Sequence, residues 1–449
     1  YIRFTLIEND QRTKQALKNI KKLFKEGMKN LKIGLCGTGN VGYAFAKTII
    51  NSKALIEKNY GLSVSISLIG ARKGKVQGLE DIHTVTDIYE VPKSNDVDVV
   101  VELIGGVEEA YELAKASLKN KKHFVTANKA LVATHSKELF KLANENNVHF
   151  GFEASVAGGI PIIRIIRDGL ISNKINSFAG ILNGTSNFIF SKMADENLSF
   201  EAALLLAQEE GFAEPDPTFD ISGQDAAQKT SILATLSFCK HAVIKNIFFE
   251  GIDNISPLDI NFGKQLELIL KPLSVGIMST EGVTLGSFPA FVKKNSLLAP
   301  IENESNAVLI NAENVGSTMY AGPGAGAKPT ANSVLSDIMD VGDGKIFNYE
   351  KFVENPLFSS FENFSCDHYL RITVSDETGV VAKISTLLAE NNLSIDNLIQ
   401  KELDKSDGAI PLVIVINNSD EKIIQKTISD IQMLSEVKNP ISHIRILEI

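Results

Sequence analysis

A glycine-rich turn near residue 40 constrains the fold of this 449-residue chain more than any other feature. The turn reads Gly37-Thr38-Gly39-Asn40-Val41-Gly42. It follows an apolar run at 31–36 that predicts a buried strand, and it opens a helical apolar spacing at 41–51. In that context Gly37 permits a tight turn, Gly39 lets backbone N–H groups approach a pyrophosphate, and Gly42 allows close helix–strand packing. The turn predicts a dinucleotide site at a helix N-terminus, and a plain strand-to-helix turn is the alternative.

Strands alternate with helices through the first 150 residues. We predict further strands at 63–69, 98–104 and 123–126, each separated from the next by a helical stretch. This alternation is typical of an α/β domain with a parallel sheet and right-handed crossovers. We therefore expect residues 30–152 to form a Rossmann-type doubly wound parallel sheet. Cys36 ends the first strand and should be a small core residue.

The rest of the chain divides into further units, because single cores rarely grow past roughly 250 residues. Residues 1–29 are interpreted as an N-terminal extension, and 153–319 as an α+β domain. Residues 351–367 are interpreted as a linker with aromatic anchors. The pattern at 368–449 predicts a self-contained, ferredoxin-like βαββαβ unit.

Composition excludes several classes of partner. The net charge is -9 without a long basic run, so we expect no nucleic-acid partner. No apolar run reaches the roughly 18 residues of a membrane-spanning helix, so we expect no membrane association. Three cysteines, far apart in the chain, argue against disulfides or a zinc site. They favour the reducing cytoplasm.

The residues after the second predicted strand bear on the choice of cofactor. An acidic residue there would bind the ribose 2′-hydroxyl of NAD, but this chain has Arg72 and Lys73 after Gly70-Ala71. Basic side chains suit a 2′-phosphate, which favours NADP while NAD stays possible. The alternative is a solvated basic loop.

Acidic and lysine residues form the most informative constellation. Lys129 follows a strand and should lie at the carboxyl edge of the sheet, where ligands bind. A proline-rich loop carries Glu214 and Asp220, and a helix then places Asp225 and Lys229 on one face. These acidic residues could bind an ammonium group beside a lysine that moves a proton. The alternatives are a solvated Lys129 and an ordinary salt bridge between Asp225 and Lys229.

Glu153 begins a segment of small residues, 153–161. Its carboxylate and nearby backbone carbonyls could bind a monovalent cation. A structural turn is equally consistent with the spacing.

Taken in order, these motifs resemble homoserine dehydrogenase with a C-terminal ACT domain over nearly all of the chain after residue 30. The resemblance rests on stretches at 33–42, 100–106, 125–131, 152–163, 180–187, 209–229 and 322–326. It implies NAD(P)-dependent interconversion of L-homoserine and L-aspartate 4-semialdehyde. It also implies a nucleotide domain completed by about 320–350, and a homodimer or homotetramer.

The resemblance assigns roles position by position. Lys229 would donate and accept the proton with help from Asp225, and Lys129 would position substrate and cofactor. Glu214 would bind the substrate amino group, with Asp220 and Thr185 also at the substrate. The remaining assignments are Gly105, Asn128 and Gly326 beside the nicotinamide, and Glu153 with the carbonyls of Val156, Gly158 and Ile160 around a sodium ion. Lys328 and Pro329 follow Gly326 where the family often has a glycine first, a departure that bears on the cofactor contacts there.

The tail segment around Asp376 and Gly379 resembles the turn beside which ACT domains bind amino acids. The resemblance implies feedback inhibition by L-threonine, and a purely structural dimerisation module is the alternative. Two competing functions stay open at this point. One is an amino-acid sensor with an inactive nucleotide fold, and the other is an oxidoreductase for a different amino or hydroxy acid.

Overall fold

The N-terminal domain is a parallel sheet, as its sequence predicts. The computed structural model describes residues 14–15, 29–72, 74, 76–347, 357–400 and 409–449, so the predicted extension lies almost wholly outside the described residues. Six strands pair in the order β3-β2-β1-β4-β5-β6, all parallel. They are β1 (Lys29–Cys36), β2 (Leu62–Gly70), β3 (Thr84–Val85), β4 (Val99–Glu102), β5 (His123–Thr126) and β6 (Phe150–Gly151).

Helices cover both faces of this sheet, which confirms the doubly wound arrangement. Three of them follow their strands directly: α1 (Asn40–Tyr60), α2 (Glu108–Lys119) and α3 (Lys129–Asn146). A fourth, Ala327–Gly342, comes from far along the chain and packs against α1. Its buried Val334 and Ile338 share a core with Ile33. A segment from far along the chain thus packs into the core of the nucleotide domain.

The central domain is a mixed sheet backed by helices. Its strands are β7 (Ile175–Ile181), β8 (Phe248–Phe249), β9 (Leu268–Ser279), β10 (Gly282–Lys293), β11 (Ser305–Ala312) and β12 (Gly316–Pro323). Its longer helices are α4 (Gly184–Glu196), α5 (Phe200–Glu209), α6 (Gln224–Phe238) and α7 (Pro257–Gln265), and two short ones span Ile162–Arg164 and Thr218–Ile221. The returning helix of the nucleotide domain, Ala327–Gly342, is labelled α8. Since β12 pairs with β11, this domain runs to residue 323, beyond the predicted boundary at 319.

The C-terminal domain has the predicted βαββαβ order. Its elements are β13 (Ser365–Ser375), α9 (Val380–Glu390), β14 (Ile395–Gln400), β15 (Ala409–Asp420), α10 (Glu421–Gln432) and β16 (Ser442–Leu447). The strands pair as β16-β13-β15-β14, the order of a ferredoxin-like sheet. Because β13 begins at residue 365, the predicted linker ends earlier than 367.

The C-terminal unit, predicted to be self-contained, has a core of its own but shares its sheet with the central domain. Strand β16 pairs in parallel with β10, with Ala290 opposite Arg445, so that one sheet runs through both domains. Tyr369 and Ile446 also share a core with Phe291 of the central domain. Periodicity in the sequence marks strands but not their partners across a domain boundary, so it could not reveal this junction.

Buried charges hold the same junction together. Arg445 is 1% exposed and donates hydrogen bonds to Glu421 of α10 and, at 2.8 Å, to Glu250 of the central domain. Its guanidinium also lies over the ring of Phe248, on which Phe361 stacks at 4.1 Å. Phe361 lies in the stretch 351–367 that was interpreted as a linker with aromatic anchors. None of the helices in the described part of the chain is long and apolar enough to span a membrane.

Replacing Arg445 by Met should lower the free energy of unfolding by about 3–5 kcal/mol, because Glu421 would keep a buried charge without its partner. The matched control is Lys293→Met, which breaks an exposed ion pair with Glu448 at the same junction and should change the free energy of unfolding far less. Urea denaturation of both variants measures the difference. Equal losses would contradict a stabilising role for the buried pair.

Candidate active site

The glycine turn has the geometry that its sequence predicts. Gly37 has a φ of 99°, in the left-handed region that favours glycine. A side chain at Gly42 would put its Cβ 2.1 Å from the Gly37 carbonyl oxygen, so only glycine fits between helix and turn. A Cβ at Gly39, by contrast, would have no atom within 4 Å, and the N-terminus of α1 opens to free space. The turn therefore leaves room for a phosphate group.

The neighbouring strand ends are held by a hydrogen-bonded chain. Buried Glu102 accepts from the Ile104 amide at 2.8 Å and from the Thr126 hydroxyl at 2.6 Å, and burial raises the pKa of its carboxyl. The Thr126 hydroxyl in turn accepts from the Asn128 amide at 2.9 Å. Asn128 caps α3 and donates its side-chain amide to the Gly106 carbonyl. Because β1 pairs with β4, these groups share one sheet edge with the glycine turn.

The other predicted cofactor residues lie near strand and helix ends. Thr38 and Val41 are half-buried and Asn40 is exposed at the start of α1. Gly105 has a φ of 74° with open space around it, and Gly326 has a φ of 112° where it begins α8. Both conformations strain other residues.

Arg72 follows β2 and is exposed. Its guanidinium lies 3.0 Å from the Glu109 carboxylate of α2, so the predicted phosphate ligand already has an acidic neighbour. Lys73 lies outside the described residues.

Two lysines meet at one buried carboxylate. Asp225, on α6, is 1% exposed, and its two oxygens lie 2.7 Å from Lys229 Nζ and 2.6 Å from Lys129 Nζ. Packing of α3 against α6 brings Lys129 to this position. Burial alone would raise the pKa of Asp225, but the ammonium groups of Lys229 and Lys129 outweigh it and hold that pKa well below its usual range. The structure thus joins three of the predicted site residues.

The same cluster includes Asp220 and a residue for which no role was predicted. Asn183 donates its side-chain amide to Asp220 Oδ1 and to Asp225 Oδ2, both at 2.8 Å. Burial and the nearby charge of Asp225 raise the pKa of Asp220. The one available signal was an asparagine directly before a helix, which is an ordinary N-cap pattern and does not by itself indicate a site.

Two other predicted substrate residues form no hydrogen bond or ion pair with this cluster in the described part of the chain. The Thr185 hydroxyl donates to the Phe212 carbonyl at 2.6 Å. This bond anchors the chain just before the acidic loop, the proline-rich segment that carries Glu214 and Asp220. Glu214 is exposed, and its carboxylate forms no ion pair with any described residue. The ring of Phe219, on the same loop, lies 5.4 Å from Lys129 Nζ. Glu214 is thus available to a ligand, whereas Thr185 holds the loop.

The Glu153 side chain, expected to bind sodium, accepts hydrogen bonds from within the protein. Its two carboxylate oxygens accept the backbone N–H groups of Ile163 and Arg164, each at 2.9 Å. Burial raises the pKa of this carboxyl to about 7. Of the expected carbonyl ligands, Gly158 accepts from the Ser333 hydroxyl and Ile160 from the Ile162 amide.

The last carbonyl, that of Val156, comes from a fully buried residue. A carbonyl oxygen that accepts one hydrogen bond keeps a second lone pair, so the sodium site stays a prediction.

The predicted regulatory residues occupy the turn between β13 and α9. Gly379 has a φ of 95° and begins α9, and Asp376 is exposed. The conformation explains the glycine at this position.

The lysine and acid cluster can carry out acid–base chemistry. Lys229 is mostly buried and donates to the Leu182 carbonyl and to Asp225, both at 2.7 Å. An ammonium group has three N–H bonds, so one is left for a substrate oxygen. Lys229 is thus placed to exchange a proton with a bound alcohol or carbonyl.

Substitutions at Gly39 and Gly42 should have different effects, one on dinucleotide binding and the other on stability. Gly39→Ala should leave thermal stability unchanged, because its Cβ meets no protein atom, yet it should abolish dinucleotide binding. Gly42→Ala should lower stability by about 1–3 kcal/mol through overpacking. Thermal unfolding and isothermal titration with NADPH check both variants, and a Gly39→Ala protein that binds normally would contradict a phosphate site here.

Family models match the chain in three consecutive stretches. The model described as homoserine dehydrogenase, NAD binding domain, matches residues 37–153, that of homoserine dehydrogenase matches 161–339, and that of the ACT domain matches 368–432.

Similar proteins agree with these models over nearly the whole chain. Homoserine dehydrogenase from Pseudomonas aeruginosa is 38% identical over 430 residues, which cover 93% of this chain and 99% of the relative. The Helicobacter pylori enzyme is 39% identical over 421 residues, with the same coverage. The solved structure of a Thiobacillus denitrificans homoserine dehydrogenase has a TM-score of 0.88 at 34% identity, covering 94% of this chain and 99% of that one. The chain therefore belongs to the homoserine dehydrogenase family, with an NAD(P)-binding domain and a C-terminal ACT domain.

Proposed function

We propose that Lys229 moves the proton in the interconversion of L-homoserine and L-aspartate 4-semialdehyde. The observation that carries this proposal is the buried Asp225 carboxylate shared by Lys229 and Lys129. In the reducing direction the Lys229 ammonium donates a proton to the aldehyde oxygen, and in the oxidising direction the amine accepts the hydroxyl proton. The bound nicotinamide supplies the hydride transfer. Asp225 stabilises the ammonium form of Lys229 and fixes its position.

Substrate binding is assigned to the acidic loop and to Lys129. Glu214 is exposed without an ion-pair partner among the described residues, which suits it to the ammonium group of the substrate. Asp220 lies beside Asp225 through their common contact with Asn183. Lys129 reaches the cluster from the nucleotide domain, so it can orient substrate and cofactor together.

Lys229→Ala should lower kcat by roughly 10²–10⁴, because it removes the proton-transfer group. The dissociation constant for NADPH should stay unchanged, since Lys229 belongs to the central domain. Steady-state kinetics with homoserine and NADPH titration measure the two effects. Lys192→Ala, on an exposed face of α4, is the control and should keep its turnover. Near-normal turnover in Lys229→Ala would refute the role.

We propose NADP as the preferred cofactor, with Arg72 reading the 2′-phosphate. Arg72 is exposed at the end of β2, where the second ribose of a bound dinucleotide is expected. Its ion pair with Glu109 would have to yield to the phosphate.

Arg72→Ala should weaken NADPH binding on the order of tenfold and leave NADH binding nearly unchanged, because only NADPH carries the charged 2′ group. Glu109→Gln is the matched variant, which removes the acidic partner of Arg72 in the ion pair. It should keep or strengthen NADPH binding, since it frees the guanidinium. Titration of both variants with the two cofactors measures the effect, and equal losses for NADH and NADPH in Arg72→Ala would mean that Arg72 does not bind the phosphate.

We further propose that the ACT domain binds an amino acid, L-threonine first among the candidates, and that the enzyme is a homodimer or homotetramer. The continuous sheet and the pair of Arg445 with Glu250 support regulation, because they tie the ACT domain to the catalytic domain. Homoserine oxidation with and without threonine tests the effector. Light scattering on the enzyme as it elutes from a size-exclusion column measures its oligomeric state.

A further inference from the structure

We propose that Asn183 is a positioning residue, whose side-chain amide holds the Asp220 and Asp225 carboxylates together beside Lys229. The amide nitrogen donates both of its hydrogens, one to Asp220 Oδ1 and one to Asp225 Oδ2, each at 2.8 Å. Asn183 is 4% exposed, so water does not compete for these bonds. The role concerns the carboxylate pair, and it bears on catalysis through the proposed function of Lys229.

The orientation of this amide is fixed from its other end. The Asn183 side-chain oxygen accepts from the Ser186 backbone N–H at 2.8 Å, which caps α4. A flipped amide would turn its oxygen toward two carboxylates and its nitrogen toward a donor, so it would lose every one of these bonds. The N–H groups of Asn183 must therefore face Asp220 and Asp225.

Two nearby carboxylates need such a donor. Like charges disfavour each other's ionised form, and burial adds to this cost. Lys229 and Lys129 compensate Asp225 directly, whereas the hydrogen bond that Asp220 accepts comes from Asn183. Asn183 thus favours the ionised form of Asp220 without adding a charge.

The residue before Asn183 contributes to the same geometry. The Leu182 carbonyl accepts from Lys229 Nζ at 2.7 Å. One short segment at the end of β7 therefore fixes the lysine through its backbone and the two acids through its side chain. Any shift of this segment would move all three groups.

A plain N-cap role is the competing explanation, and one substitution separates the two. Aspartate caps helices as well as asparagine does, so Asn183→Asp keeps the cap of α4. It removes the amide hydrogens, however, and places a third carboxyl against Asp220 and Asp225. Only when that new carboxyl is protonated can it donate one hydrogen bond in place of the lost two.

The test is the pH profile of kcat for homoserine oxidation, expressed as the ratio of variant to unsubstituted enzyme. For Asn183→Asp we expect a ratio reduced about 10- to 100-fold at pH 8, because two carboxylates lose their donor. The ratio should recover several-fold toward pH 6, as the new carboxyl gains its proton. For Asn183→Ala we expect a similar loss that does not change with pH.

The matched control is Asn187→Ala on the same helix. The buried Asn187 amide donates to the backbone carbonyls of Ile301, Asn303 and Ser305, and to no carboxylate among the described residues. Asn187→Ala should lower the melting temperature, and the ratio of its kcat to that of the unsubstituted enzyme should not change with pH. Should Asn183→Asp not fold, Asn183→Ser keeps a cap and one hydroxyl donor and should show an intermediate loss.

Turnover of Asn183→Asp within threefold of the unsubstituted enzyme at pH 8, or a ratio that does not change with pH, would overturn the positioning role. Both outcomes are distinct from failure of the proposed proton transfer. That failure would show as activity in Lys229→Ala, whereas the pH ratio of Asn183→Asp reports on the carboxylate pair whichever group moves the proton.

Discussion

The buried carboxylate of Asp225 joins the two halves of the candidate active site. It lies 2.6 Å from Lys129 at the start of α3 and 2.7 Å from Lys229 on its own helix, α6. A buried carboxylate without a cation costs several kcal/mol, so the ion pairs fix the nucleotide domain against the catalytic domain. The charge that positions the two domains is the same one that orients the lysines. The geometry of the site thus depends on domain packing.

A second junction links the ACT domain to the loop that carries Asp220. The Glu250 side chain binds Arg445 of β16, while a Cβ at Gly223 would stand 2.9 Å from the Glu250 carbonyl oxygen. Two residues after Glu250, the Ile252 amide donates a hydrogen bond to the Ile221 carbonyl at 2.9 Å. The segment 250–252 therefore touches the ACT domain on one side and the acidic loop on the other.

Local patterns predicted the elements well where burial and capping agree. Strand β5 spans 123–126, as its apolar run predicts, and the ferredoxin-like order of the tail is confirmed. Helix α1 runs to Tyr60, beyond the predicted end at 51, because its left-handed C-cap at Gly61 lies a further ten residues along. The strand predicted at 98–104 ends at Glu102, whose carboxylate binds the Ile104 amide and turns the chain. Side-chain hydrogen bonds of this kind leave no trace in periodicity.

By itself the sequence determined the glycine turn, the alternation of strands and helices, and the identity of the chemical groups, since each depends on neighbours close in the chain. Lys129, Asp225 and Lys229 could be named as a site before their contacts were known. Only the tertiary structure decided that both lysines share one carboxylate, that Asn183 joins Asp220 to it, and that β16 extends the catalytic sheet. It also showed that the Glu153 carboxylate is engaged by backbone amides. These features arise from packing between segments distant in the chain, whose partners no local pattern specifies.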